Sequence, residues 1–197
     1  MREDHDMTQQ TSVVTPERFA SGMTYGEYMS RITRNRDQFQ ANYDGTPLTE
    51  EDVRRFKEIM ARPNGPAKVL ALAEDWCPDV FRGLPVMARI AEATGMELRV
   101  FPRDENLDIM NEFLKDGQFQ SIPTFVFYTK DHRYICHWIE RPQKANDEMH
   151  LLRQLYEGRT REEAAPDVQK FREGPVWASW RRATIDELLQ LLDEKTK

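Results

Sequence analysis

Between residues 68 and 139 four short apolar or β-branched runs are spaced so that few folds accommodate them. Lys68–Ala73 is an apolar run suited to a strand buried on both faces. A helical pattern from about Asp79 to Thr94 follows, with Leu84, Met87, Ile90 and Ala91 on one side, and then a second strand over Glu97–Phe101. Two strands joined through a helix predict a right-handed parallel unit. After a short helix over Leu107–Leu114, Thr124–Tyr128 and Tyr134–Ile139 are β-branched and aromatic runs. The intervening Thr129-Lys130-Asp131-His132-Arg133 makes them an antiparallel hairpin, and a helix from Ala145 to about Glu157 is expected to cover the sheet. The pattern predicts an α/β fold with a four-stranded mixed sheet flanked by helices.

The flanks are read as helical additions. Tyr25, Tyr28, Met29, Ile32, Phe39 and Tyr43 recur at helical spacing and predict a helix over Tyr25–Tyr43. Thr49 caps a second helix whose first turn, Glu50-Glu51-Asp52, suits the positive end of its dipole, and Pro63-Asn64-Gly65-Pro66 stops it. Residues 1–22 are expected to form a flexible polar tail and residues 23–158 the main domain. Residues 159–197 are read as a C-terminal loop (159–175, with Pro166, Gly174 and Pro175) and a helix over Thr184–Lys195. Trp177 and Trp180 are expected to dock that segment onto the domain.

Charge and cysteine usage exclude several function classes. With 28 Lys and Arg against 34 Asp and Glu, the net charge of −6 argues against nucleic acid as a partner. No apolar run approaches the roughly 18 residues of a membrane span. The opening Met1-Arg2-Glu3-Asp4-His5-Asp6 lacks the apolar segment of a signal peptide, so two unpaired thiols in a reducing cytoplasm are expected. The histidines, His5, His132, His137 and His150, lack metal-ligand spacing, and no glycine-rich phosphate loop is present, so neither a metal nor a cofactor is expected. Oligomeric state has no signature in the sequence.

The candidate site lies where the first strand meets its helix. Glu74-Asp75-Trp76-Cys77-Pro78-Asp79-Val80, with Pro85 eight residues after Cys77 and Ile122-Pro123-Thr124 opening the third strand, resembles the thioredoxin superfamily. With Ile139-Glu140-Arg141-Pro142 after the hairpin, residues 23–157 look like a bacterial thioredoxin-like family with an N-terminal helical extension. The resemblance implies a catalytic nucleophile at Cys77. It also implies a substrate-binding surface from Trp76, Pro78, Asp79, Ile122, a cis-Pro123 and Thr124, where an extended chain would pair as an added strand. The residues themselves agree in part. A cysteine at a helix N-terminus meets unpaired amides and the positive dipole end, which favours thiolate, and Pro78 suits the first helical turn.

Departures from the family pattern are equally specific. The second cysteine is Val80, so a mixed disulfide at Cys77 has no resolving thiol within the motif. The buried carboxylate of the family is Ala71, and Glu74, Asp75 and Asp79 are expected to oppose thiolate formation. Cys136, mid-hairpin on the expected edge strand, stands two strand steps of about 4.8 Å from the Cys77 strand, beyond the roughly 7 Å Cα limit of a disulfide. It is read as a buried structural cysteine. Peroxiredoxins place Thr where this chain has Glu74, and single-cysteine glutaredoxins place Ser where it has Val80. Two functions follow from the resemblance: a single-cysteine thiol–disulfide oxidoreductase acting on a protein or small-molecule thiol or disulfide, or a redox-inactive module binding an extended peptide or small ligand.

Overall fold

In a computed structural model, described here for residues 12–197, the sheet runs in the order β2-β1-β3-β4. The polar opening Met1–Asp6, with His5, lies outside the described residues. β1 (Lys68–Ala73) is central and carries only apolar, buried side chains beyond Lys68. It pairs parallel with β2 (Glu97–Pro102), Leu70 opposite Arg99, and antiparallel with β3 (Thr124–Tyr128), Leu70 opposite Val126. β4 (Tyr134–Ile139) closes the hairpin with Phe127 opposite Cys136 and a bulge at Phe127/Tyr128. Every residue of β3 is buried, as an internal strand with covered faces requires.

Nine α-helices are present among the described residues. α1 (Pro16–Ala20), α2 (Tyr25–Arg31), α3 (Arg36–Asp44) and α4 (Glu50–Met60) precede the sheet. α5 (Pro78–Thr94) crosses from β1 to β2, α6 (Leu107–Met110) is a single turn, and α7 (Gln143–Gln154), α8 (Arg161–Glu173) and α9 (Pro175–Lys195) follow the hairpin. Among the described residues, no helix is long and apolar enough to cross a membrane.

Three expectations are corrected. The helix expected over Tyr25–Tyr43 is two helices, because the chain turns at Ile32–Asn35, with Ile32 extended and Asn35 at φ 54°. Residues 12–22, expected within a flexible tail, include α1 and bury Val14 and Phe19 in the core. Residues 159–175, expected as a loop, are largely α8. Thr160 and Glu163 form a capping box that starts this helix, and Gly174 ends it.

The N-terminal segment also covers the free edge of β2. Met23 and Val100 exchange two backbone hydrogen bonds, Met23 N–H to Val100 O at 3.0 Å and Val100 N–H to Met23 O at 2.7 Å. Occupying an open strand edge removes a template for aggregation. The approach is close enough to need glycine at Gly22, where a Cβ would fall 2.3 Å from the Phe101 ring and 2.9 Å from Arg99 Cβ.

Candidate functional site at Cys77

The end of β1 releases the chain into Glu74-Asp75-Trp76, and Cys77 becomes the N-cap residue of α5 with extended backbone. Pro78 occupies the first helical position, where its missing N–H leaves no bond unmade. The two acids ahead of Cys77 are engaged elsewhere. The Asp75 carboxylate accepts the N–H groups of Thr33 and Arg34, both at 3.0 Å, and its carbonyl accepts from Asn35 Nδ2 at 2.8 Å. Glu74 accepts the Asp104 N–H at 2.8 Å. The loop before the cysteine is therefore tied to the α2–α3 turn on one side and to the segment after β2 on the other.

The Ile122–Pro123 peptide is cis, and the Cys77 thiol donates to the Ile122 carbonyl at 3.7 Å. α5 approaches this loop through Gly83, where a Cβ would stand 3.1 Å from Pro123 Cγ. Thr124 is fully buried and its hydroxyl donates to the Ser121 carbonyl at 2.8 Å, so this side chain braces the loop instead of facing solvent. Trp76 is 43% exposed with the Arg103 guanidinium 5.2 Å from its ring centroid. Cys77 is half-buried, while Ile122 and Pro123 are buried. The expected residues thus gather around one sulfur, with Trp76 and Pro78 open to solvent and Thr124 behind.

Asp79 is buried against two arginines. Its Oδ1 accepts from Arg82 Nη2 at 2.6 Å, and its Oδ2 forms an ion pair with Arg141 Nη2 at 2.7 Å. Arg141 is delivered by the turn after β4. There Glu140 sits at φ 71°, donates its N–H to the Pro123 carbonyl at 2.7 Å, and also pairs its carboxylate with Arg141 and Lys115. Arg82, 1% exposed, packs over the adjoining indoles of Trp177 and Trp180, at 5.0 and 5.3 Å from their centroids. Arg82 is not singled out by the sequence, and Arg141 is quoted there only as part of the segment after the hairpin, with no role. An Asp–Arg pair at i, i+3 in the first turn of α5 is a readable signal, but the indoles that bury Arg82 lie about a hundred residues away in sequence.

The thiol's acidity follows from these contacts. Burial pushes the Cys77 thiol above its ordinary value; the N–H groups of Val80 and Asp79 pull it down, the Asp79 charge pushes it up, and Arg141 pulls it down. Three crowding acids were expected to oppose the helix terminus. Burial is instead the leading influence, and of the three only Asp79 acts prominently on the sulfur. Cys136 is buried, unpaired and pushed up to about 12 by burial. A separate cavity of about 350 Å³, bounded by Val14, Phe113, Tyr128, His132 and Tyr134, does not include Cys77 among its lining residues.

A family model described as thioredoxin matches residues 22–157. Two solved structures are similar in fold. One is a protein of unknown function from Pseudomonas aeruginosa, 16% identical, with a TM-score of 0.64 over 89% of this chain and 95% of that one. The other is an HIV epitope-scaffold, 15% identical, with a TM-score of 0.65 over 93% of this chain and 99% of that one. No curated protein matches.

Proposed function

The chain belongs to the thioredoxin family, and from that premise we propose that it is a single-cysteine thiol–disulfide oxidoreductase acting through Cys77. The observation that carries the reading is the position of the sulfur: at the N-terminus of α5 and 3.7 Å from the Ile122 carbonyl beside cis-Pro123. The Cys77 thiolate attacks one sulfur of a substrate disulfide, forming a mixed disulfide and expelling the other sulfur as a thiolate. An external thiol then attacks the substrate sulfur of the mixed disulfide, leaves joined to it, and returns Cys77 as thiolate. The net reaction transfers a sulfur-bearing group from one thiol to another, which one cysteine can perform with Val80 in place of a resolving thiol. Trp76, Pro78, Ile122 and Pro123 would line the substrate; Asp79 and Thr124 would support that surface from within. The partner is a protein or small-molecule disulfide in a reducing compartment, the cytoplasm.

The test is turnover of a small symmetric disulfide with an external monothiol as reductant, comparing wild type, Cys77→Ser and Cys136→Ala. Activity lost only in Cys77→Ser supports the proposal. Equal turnover in Cys77→Ser retires it.

A second reading has its own observation. A thiol whose ionisation is opposed by burial is a poor resting nucleophile, which favours a module that holds an extended peptide at the Ile122–Thr124 loop without redox turnover. Under that reading a peptide ligand binds Cys77→Ser as tightly as wild type, and neither protein turns over disulfides.

A further inference from the structure

We propose that Arg82, clamped by the C-terminal helix α9, is a positioning residue for Cys77: it holds the Asp79 carboxylate and offsets its charge beside the sulfur. This rests on Cys77 being the reacting thiol, as proposed above. The geometry is a chain of direct contacts. Trp177 and Trp180 of α9 cover Arg82 at 5.0 and 5.3 Å, Arg82 Nη2 bonds Asp79 Oδ1 at 2.6 Å, and Asp79 stands two residues from Cys77 in the first turn of α5. The clamp is itself fixed. Trp177 Nε1 donates to Asn42 Oδ1 at 2.8 Å and Trp180 Nε1 to Glu148 Oε2 at 2.7 Å. Arg181 donates to the same Asn42 oxygen at 2.9 Å, so α3 and α7 both brace the indoles.

A guanidinium fits this place for physical reasons. It stays protonated in a dry setting, its planar faces stack on indoles, and its fork holds a carboxylate at a set angle. Arg82 Nε makes no hydrogen bond among the described residues, so the ion pair with Asp79 and the two indole faces are what hold the buried charge. Asp79 without Arg82 would keep only Arg141, which is shared with Glu140. The charged and titratable groups set around Cys77 are then Asp79 and Arg82 of α5, Arg141 after β4, Tyr28 of α2, and Glu74 and Asp75 of the preceding loop. Glu74 and Asp75 are bound by backbone amides, as described, and Tyr28 is buried and uncharged at neutral pH. The Asp79–Arg82–Arg141 group is what remains to tune the sulfur. α9 lies wholly beyond residues 22–157, so the clamp is an addition to the matched region.

The test is the alkylation rate of Cys77 by iodoacetamide against pH, in a Cys136→Ala background, for the full chain and for Arg82→Met and Asp79→Asn/Arg82→Met. The expected result is that Arg82→Met slows alkylation at neutral pH by about tenfold, the equivalent of one unit in the thiol's titration. The double variant, with the carboxylate charge also gone, should alkylate at least as fast as the starting protein. Removing a buried charge from its partner can unfold a protein, so far-ultraviolet circular dichroism accompanies each measurement. If Arg82→Met is unfolded, the double variant decides alone: folded and alkylating at least as fast as the starting protein it supports the proposal, and folded but slowed at neutral pH it overturns it. So does a folded Arg82→Met with the wild-type rate, or equal slowing in both variants. Disulfide turnover is assayed separately, so loss of the redox reading through Cys77→Ser leaves the titration result distinguishable.

Discussion

At the scale of single residues, the two thiols are set apart by what lies within a few ångströms of each sulfur. Cys77 has amide N–H groups, a carboxylate and a guanidinium nearby, whereas Cys136 has almost nothing but apolar neighbours. Because the Cys77 thiol lies above its ordinary value, its alkylation rate should still be rising at about pH 9, beyond the roughly 8.5 of a free thiol. A plateau near neutrality would contradict the influence assigned to burial. Cys136 affects stability instead. Its thiol is pushed up to about 12 by burial, so the folded chain keeps a proton that the unfolded chain releases at lower pH. Its contribution is intact below the unfolded value and is lost as pH rises toward 12. Cys136→Ala should therefore show a shallower fall in urea midpoint than wild type between about pH 9 and 11. Of the site residues read from sequence, Cys77, Trp76, Pro78, Asp79, Ile122 and Pro123 do cluster, because each sits at an element boundary that hydrophobic patterning marks well. The role of Arg82 was not legible, since a charge in a helical pattern reads as solvent-facing until its distant cover is known, and Arg141, quoted after the hairpin, had no visible link to Asp79.

At the scale of elements, strand limits were legible and helix breaks were not. Runs such as Thr124–Tyr128 and Tyr134–Ile139 agree with their expected bounds because β-branched residues and a polar turn delimit them on both sides. The break between α2 and α3 is set by Asp75, more than forty residues away, which binds the amides of Thr33 and Arg34. α8 was hidden by Pro166 and its charges, although Thr160 followed by Glu163 is a capping box that could have revealed it. Two contacts between elements give measurable outcomes. Asp52 of α4 takes two hydrogen bonds from Arg182 of α9, at 2.6 and 2.9 Å. Burial pushes its carboxyl up, but Arg182 and Thr49 outweigh it and hold the carboxyl at about 2. Stability from this pair is present above the unfolded carboxylate value and lost as pH falls toward 2. Asp52→Asn should lose roughly 1–2 kcal/mol at pH 6, after allowance for solvent at Arg182, and show most of that difference gone near pH 2. Chemical denaturation at the two pH values checks this. At the β2 edge, Gly22→Ala should cost about 1–3 kcal/mol by driving a methyl into Phe101, measured as a lowered thermal midpoint.

At the scale of the whole molecule, the matched family region stops at residue 157 but the core does not. α9 buries Trp177, Trp180, Ile185, Leu188, Leu189 and Leu192, and meets α4, α5, α7 and β4. A chain ending at residue 158 would leave the faces of α4 and α5 without this cover. It should lose cooperative unfolding in calorimetry while keeping part of its far-ultraviolet signal; a sharp two-state transition would refute that. The Arg82 clamp has a further consequence in optical terms. Trp177 and Trp180 stand against the guanidinium that holds Asp79, and Trp76 precedes Cys77 in the chain with Arg103 over its ring. Trp138 is apart from them, stacked on Phe125 with its indole N–H bonded to Glu187. Indole emission responds to nearby charge, so the chain carries its own dye set, and titrating or blocking one thiol should change its colour.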